Sequence, residues 1–118
     1  MAKNYENLNI WKNSIDFASF IYQITRKFPR EELYGLVSQI RRAAISISSN
    51  IAEGAGRGSK KEFSRFISIA SGSLNEVESQ IYIANKLQYI DQTDFDKALG
   101  LAGELGNMLG GFQKFLKK

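Results

Sequence analysis

The chain is 118 residues long, enough for one hydrophobic core, and 43% of it is apolar. It contains no His and no Cys, which excludes disulfides, thiolate zinc sites, imidazole acid–base chemistry and Ser-His or Cys-His nucleophile pairs. Net charge is +4, and the excess is local: residues 26–65 hold nine Lys or Arg against four Asp or Glu, the remainder seven against eight, so an anionic partner is expected to meet that region.

The N-terminal segment MAKNYENLNIW lacks the apolar core of a signal peptide. The longest uncharged runs, 43–52 and 66–75, are ten residues each, against roughly 20 needed to cross a bilayer. A soluble, cytoplasmic protein is expected. A first helix is predicted over about 8–27. Leu8, Trp11, Ile15, Ala18, Tyr22 and Thr25 form one stripe, and Ile10, Ser14, Phe17, Ile21, Ile24 and Phe28 a second beside it. Two adjacent stripes exceed what a small bundle core requires, so the surplus predicts an oligomer interface.

Phe28-Pro29 ends that helix. A second helix is predicted over about 31–54, with Glu31 and Glu32 in its first turn, a bend at Gly35, and Leu33, Leu36, Ile40, Ala43, Ile47 and Ile51 facing the core. Its other row is polar: Gln39, Arg42, Ser46, Asn50 and Glu53. The small serines suit close helix approach, so Asn50 and Glu53 are expected to be partly buried and bonded, with Arg42 or Arg57 as partners. A ligand-binding row is the alternative.

Gly54-Ala55-Gly56-Arg57-Gly58 stops the second helix with left-handed glycine. Ser59 and Glu62 read as a capping box for a third helix over about 59–89, whose stripe is Phe63, Ile67, Ala70, Leu74, Val77, Ile81 and Ala84. Its small patch Ala70-Ser71-Gly72-Ser73 suits a close crossing. Asp91-Gln92-Thr93-Asp94 opens a fourth helix over about 93–117. That helix carries Phe95, Ala98, Ala102, Leu105, Leu109, Phe112 and Leu116 on one face, five glycines elsewhere, and Lys114, Lys117 and Lys118 near the negative end of its dipole. Residues 1–118 therefore read as a single all-α domain, an antiparallel up-down-up-down four-helix bundle.

GAGRGSKK resembles a phosphate loop only superficially: it lacks the Walker spacing and follows a helix instead of a strand. The start of the third helix, ringed by Arg57, Lys60, Lys61 and Arg65, still suits a nucleic-acid phosphate. Glu53, Glu62, Glu76 and Glu78 cannot supply a di-iron bundle site without His. Most aromatics lie on core stripes, Tyr34 and Tyr82 being the exceptions, which predicts backbone contact with little sequence preference.

LNIWKNSIDF, FPREELYGLVSQIRRAAISISSNIAEGAGRGSKKEFSRFISIASGSL and MLGGFQKFLKK together resemble a bacterial four-helix-bundle family encoded in intervening sequences of large-subunit ribosomal RNA genes. QIRRAAISISSNIAEG is the specific part; Ser48 stands where the family usually has proline. The chain is also similar to the accessory protein of diversity-generating retroelements, a pentameric barrel that binds nucleic acid and a reverse transcriptase. The resemblance implies an antiparallel four-helix protomer in a homopentamer, with Arg41, Arg42, Arg57, Lys60, Lys61 and Arg65 as the nucleic-acid-binding positions. It transfers no catalytic residues, and the ribosomal-protein label sometimes given to the family reflects gene location. The expected function is a non-enzymatic oligomer binding RNA or DNA, with no cofactor and no metal. A protein–protein adaptor docking through the first or fourth helix is the alternative.

Overall fold

The computed structural model describes residues 4–118; the start of the N-terminal segment read above for a leader lies outside the described residues. Four helices follow one another: α1 Asn9–Thr25, α2 Leu36–Ala55, α3 Lys60–Lys86 and α4 Gln92–Leu116. Two 3-10 turns, Asn4–Asn7 and Arg30–Glu32, precede α1 and α2. Side-chain bonds fix the directions. Lys27, past the end of α1, pairs at 2.9 Å with Asp94 at the start of α4. Ser46 meets Ser73 at 2.9 Å between α2 and α3, and Gln113 donates at 3.0 Å to the Ser64 carbonyl between α4 and α3. Neighbours therefore run antiparallel, in a bundle of 43 × 23 × 22 Å.

The predicted stripes meet in the middle. Ile21, Ile40, Ile47, Ile51, Ile67, Val77, Ile81, Leu105 and Leu109 are fully buried. On α1 it is the Ile10–Phe28 stripe that goes inside, with Ser14 satisfying itself by donating to the Trp11 carbonyl at 2.6 Å. The neighbouring stripe is partly covered by the chain's own residues. The Tyr5 ring packs edge-on against Trp11 at 5.0 Å, and the Arg41 guanidinium lies 4.5 Å over Tyr22. Leu8, Trp11, Ala18 and Tyr22 stay half-buried and Ile15 is 40% exposed. Leu33, expected in the core, is exposed because it lies outside α2.

Two helix ends depart from the sequence reading, the start of α2 and the end of α3. Residues 31–35 do not join α2. Gly35 adopts φ −114°, ψ −112°, and the Glu32 carboxylate reaches across the break to accept the Leu36 N–H at 3.1 Å. Glu32 thus caps α2 from outside it. At the other end of α2, Gly58 is the glycine with a left-handed φ, +81°. Gly54 serves packing instead: a Cβ there would lie 2.7 Å from the Phe66 Cβ and 2.9 Å from Phe63 Cδ1, so its absence lets α3 come close. α3 stops at Lys86 because Gln88 takes φ 63°, with Tyr89 N–H bonded to the Ala84 carbonyl at 2.9 Å and Gln88 N–H to Asn85 at 3.0 Å, a Schellman closure without glycine. The Tyr89 hydroxyl then donates to Glu32 at 2.9 Å, tying this turn to the cap of α2.

Candidate nucleic-acid interface

The six cations expected to bind a polyanion fall into two groups. Arg41 and Arg42 lie in the first half of α2, while Arg57, Lys60, Lys61 and Arg65 surround the α2–α3 turn. Sixteen residues from Arg41 to Arg57 correspond to about 24 Å of helix. Arg41 is half-buried and engaged, its Nε donating to Thr25 Oγ1 at 2.9 Å and its Nη2 to the Tyr22 carbonyl at 3.3 Å. Arg42 is exposed on the rim of a polar cleft of about 500 Å³ between α2 and α3, facing Gln39, Ser46, Ser73 and Glu76.

At the turn the cations divide again. Arg57 pairs with Glu53 at 2.7 Å and Arg65 with Glu62 at 3.3 Å. Their guanidinium carbons stand 4.9 and 5.0 Å from the Phe66 ring centre. These two arginines brace the turn against a buried phenylalanine. Lys60 and Lys61 have no carboxylate within ion-pair distance among the described residues. Ser59 caps α3 by accepting the Glu62 N–H at 3.1 Å, but the Glu62 carboxylate goes to Arg65, so the expected capping box is one-sided.

Antiparallel packing adds charges that sequence reasoning assigned only to a helix dipole. The last turns of α4 lie on the first turns of α3: the Gln113 amide donates to Ser64 and, at 2.5 Å, to Ser68 Oγ, and Lys60 Nζ lies 5.8 Å from the Phe115 ring centre. Lys114, Lys117 and Lys118 therefore share one end of the bundle with Lys60 and Lys61, again without carboxylate partners among the described residues. The acids at this end include Glu6, Glu53 and Glu62, two of which are the arginines' partners. The signal for the extra lysines was the up-down order itself, which brings the end of the fourth helix to the start of the third.

The polar row on α2 is only partly internal. Asn50 is half-buried, and its amide donates to the Ser46 carbonyl at 2.8 Å and to Ser46 Oγ at 2.9 Å, which continues to Ser73. Gln39 is exposed, and Glu53, expected partly buried, has a side chain 56% exposed that serves Arg57 in solvent. Neither Asn50 nor Glu53 lines the polar cleft. Both aromatics singled out are exposed: Tyr34 at 93%, beside Arg41 and Arg42, and Tyr82 at 56%, with its ring edge-on to Phe95 at 5.6 Å. Among the described residues no group of three or more acidic side chains gathers as a metal site, and no helix is long and apolar enough to cross a membrane.

Groups with displaced pKa values lie at the opposite end. The Lys27 ammonium is held above its usual range by its hydrogen bond to Asp94, and the Tyr89 hydroxyl above its usual range by donation to Glu32, with burial adding to it.

The fold is similar to the crystal structure of a protein of unknown function from the S23 ribosomal protein family of Bacteroides thetaiotaomicron, with a TM-score of 0.82 and 24% identity over 89% of this chain and 95% of that one. At that identity the likeness carries the fold alone. No curated protein matches the chain. The model of the 23S rRNA-intervening sequence protein family matches residues 6–111, through all four helices and across the α2–α3 turn. On that match, the chain belongs to the family of 23S rRNA-intervening sequence proteins.

Proposed function

We propose that this protein is a non-enzymatic homo-oligomer, a homopentamer as the family resemblance implies, that binds RNA or DNA through the lysine-rich end of each bundle. The observation that carries the reading is that Lys60 and Lys61 of α3 share one end of the bundle with Lys114 of α4, none of them ion-paired among the described residues, beside the amide-bearing start of α3. Unpaired lysines release counterions from a phosphate backbone without first breaking an internal bond, whereas Arg57 and Arg65 must leave Glu53 and Glu62. Arg41 is already committed to Thr25 and Tyr22, so Arg42 is the better of the two α2 candidates. Assembly is supported by the opposite charge balance of two parts of the chain. Residues 9–51 hold six Lys or Arg and three Asp or Glu, while residues 72–104 hold two and six. The second set includes the exposed apolar residues Ile83 and Leu87. A head-to-tail contact between those two parts builds a ring where its rotation closes, and repetition of a weak site raises avidity.

Fluorescence anisotropy with a labelled RNA tests the binding. The expected affinity per site is about 10⁻⁴ to 10⁻⁶ M, falling steeply with salt. Lys60→Glu with Lys61→Glu lowers it at least tenfold, whereas Arg57→Ala, which removes an already paired charge, changes it much less. Absence of any retention at low ionic strength overturns the proposal. Light scattering tests the assembly, with a monomer mass at low salt as the refuting result.

A further inference from the structure

The lysine-rich end also carries an aromatic ring that the core does not take. Phe115 is 57% exposed, although Phe112 and Leu116 on either side of it pack inward. Its inner edge is supported by Phe112 at 5.9 Å, which in turn meets Phe63 at 5.1 Å, so the ring is held. One turn earlier stands Gly111, where a Cβ would meet nothing within 4 Å. The result is an open groove of about 510 Å³ between the chain's first turns and the end of α4. Leu8, Met108 and Phe115 make it apolar, and the exposed residues Asn7 and Asn9 stand along it. Lys60 Nζ lies over one face of the Phe115 ring, 5.8 Å from its centre, so a base stacks on the other face or in place of the lysine, and Lys114 adjoins the ring in sequence.

We infer that this groove takes an unpaired nucleobase, stacked on Phe115, so that the end of the bundle prefers single-stranded over duplex nucleic acid; this rests on the phosphate-binding reading above. A supported π face beside unpaired cations is the arrangement that holds single strands, with the lysines on the backbone and the ring on a base. The amides of Asn7 and Asn9 suit the polar edges of a base, which are accessible once it is unpaired. In a duplex the base faces are stacked on one another, so only the lysines engage. The counterion contribution is steeper for a duplex than for a single strand. Stacking does not depend on counterion release, so the single-strand preference grows as salt rises.

Anisotropy titrations of the full chain with a short labelled RNA, alone and annealed to its complement, test this. Wild type binds the single strand more tightly, and the ratio widens with salt. Phe115→Ala weakens single-strand binding about fivefold to a hundredfold while leaving duplex binding unchanged, and Phe115→Tyr restores it. Being exposed, Phe115 is removed without emptying the core, and unchanged thermal melting confirms that each variant is folded. Equal binding of both forms, unmoved by Phe115→Ala but abolished by Lys60→Glu with Lys61→Glu, overturns the stacking inference and leaves the phosphate reading intact. No binding of either form by wild type overturns both. A Phe115→Ala variant with an unchanged single-strand to duplex ratio and a reduced mass by light scattering assigns the groove to a second copy and overturns the inference.

Discussion

Changing Gly54 to alanine and changing Gly103 to alanine add the same methyl group to a helix, and the two are expected to move stability in opposite directions. In α4, Gly103 is exposed and its new Cβ would meet nothing within 4 Å. The change there relieves only the backbone entropy of glycine, about 0.5–1 kcal/mol in favour of the folded state. Gly54 is buried in the last turn of α2, and its Cβ would lie 2.7 Å from the Phe66 Cβ, an atom fixed to the α3 backbone. α2 and α3 must part to admit it, at a cost of about 1–3 kcal/mol, against which the helix gain is at most about 1 kcal/mol. The net loss is up to about 2 kcal/mol, or several degrees of melting temperature for a domain of this size. Urea unfolding followed by circular dichroism, at one protein concentration because assembly adds a concentration term, gives both values. With the slope on denaturant unchanged, a midpoint for Gly54→Ala at or above wild type refutes the close-approach reasoning. A drop for Gly103→Ala refutes the claim that its face is open.

Gln88→Gly should stabilise the chain by about 0.5–1 kcal/mol, because Gln88 holds φ 63° where only glycine sits without strain; a loss of stability in urea would show that its side chain contributes more than its backbone costs. Tyr89→Phe probes the tie between the α3–α4 turn and the cap of α2. The Tyr89 pKa is raised above 10.0 by its bond to Glu32, so its contribution is fully present below about that pH and is lost as pH rises through the raised value. Wild type should therefore melt higher than Tyr89→Phe at neutral pH, and the two should converge above pH 10, the reverse trend refuting the assignment. Lys27 titrates in the same alkaline range with the same sign, raised by Asp94, which is why the difference between variants, and not the wild-type profile alone, is the measurement.

The amino-acid pattern by itself determined the four helices, their order and most of the core, because apolar spacing is a local property and each stripe from Ile40 to Leu109 needs only its own helix to be recognised. It also located the cation cluster at 57–65, since those residues adjoin in the chain. Tertiary structure decided the rest. The cap of α2 and the turn after α3 are tied together by Glu32 and Tyr89, which are 57 residues apart and bonded to each other. No window along the chain contains both. The docking of α4 on α3 likewise brings Lys114, Lys117 and Lys118 to the end of the bundle that carries Lys60. Phe115 lies one position from the core stripe of α4, and only the packing of Phe112 against Phe63 leaves its ring facing out. Periodicity assigns a residue to a face of its own helix, but which part of that face a neighbour covers depends on contacts made elsewhere in the chain.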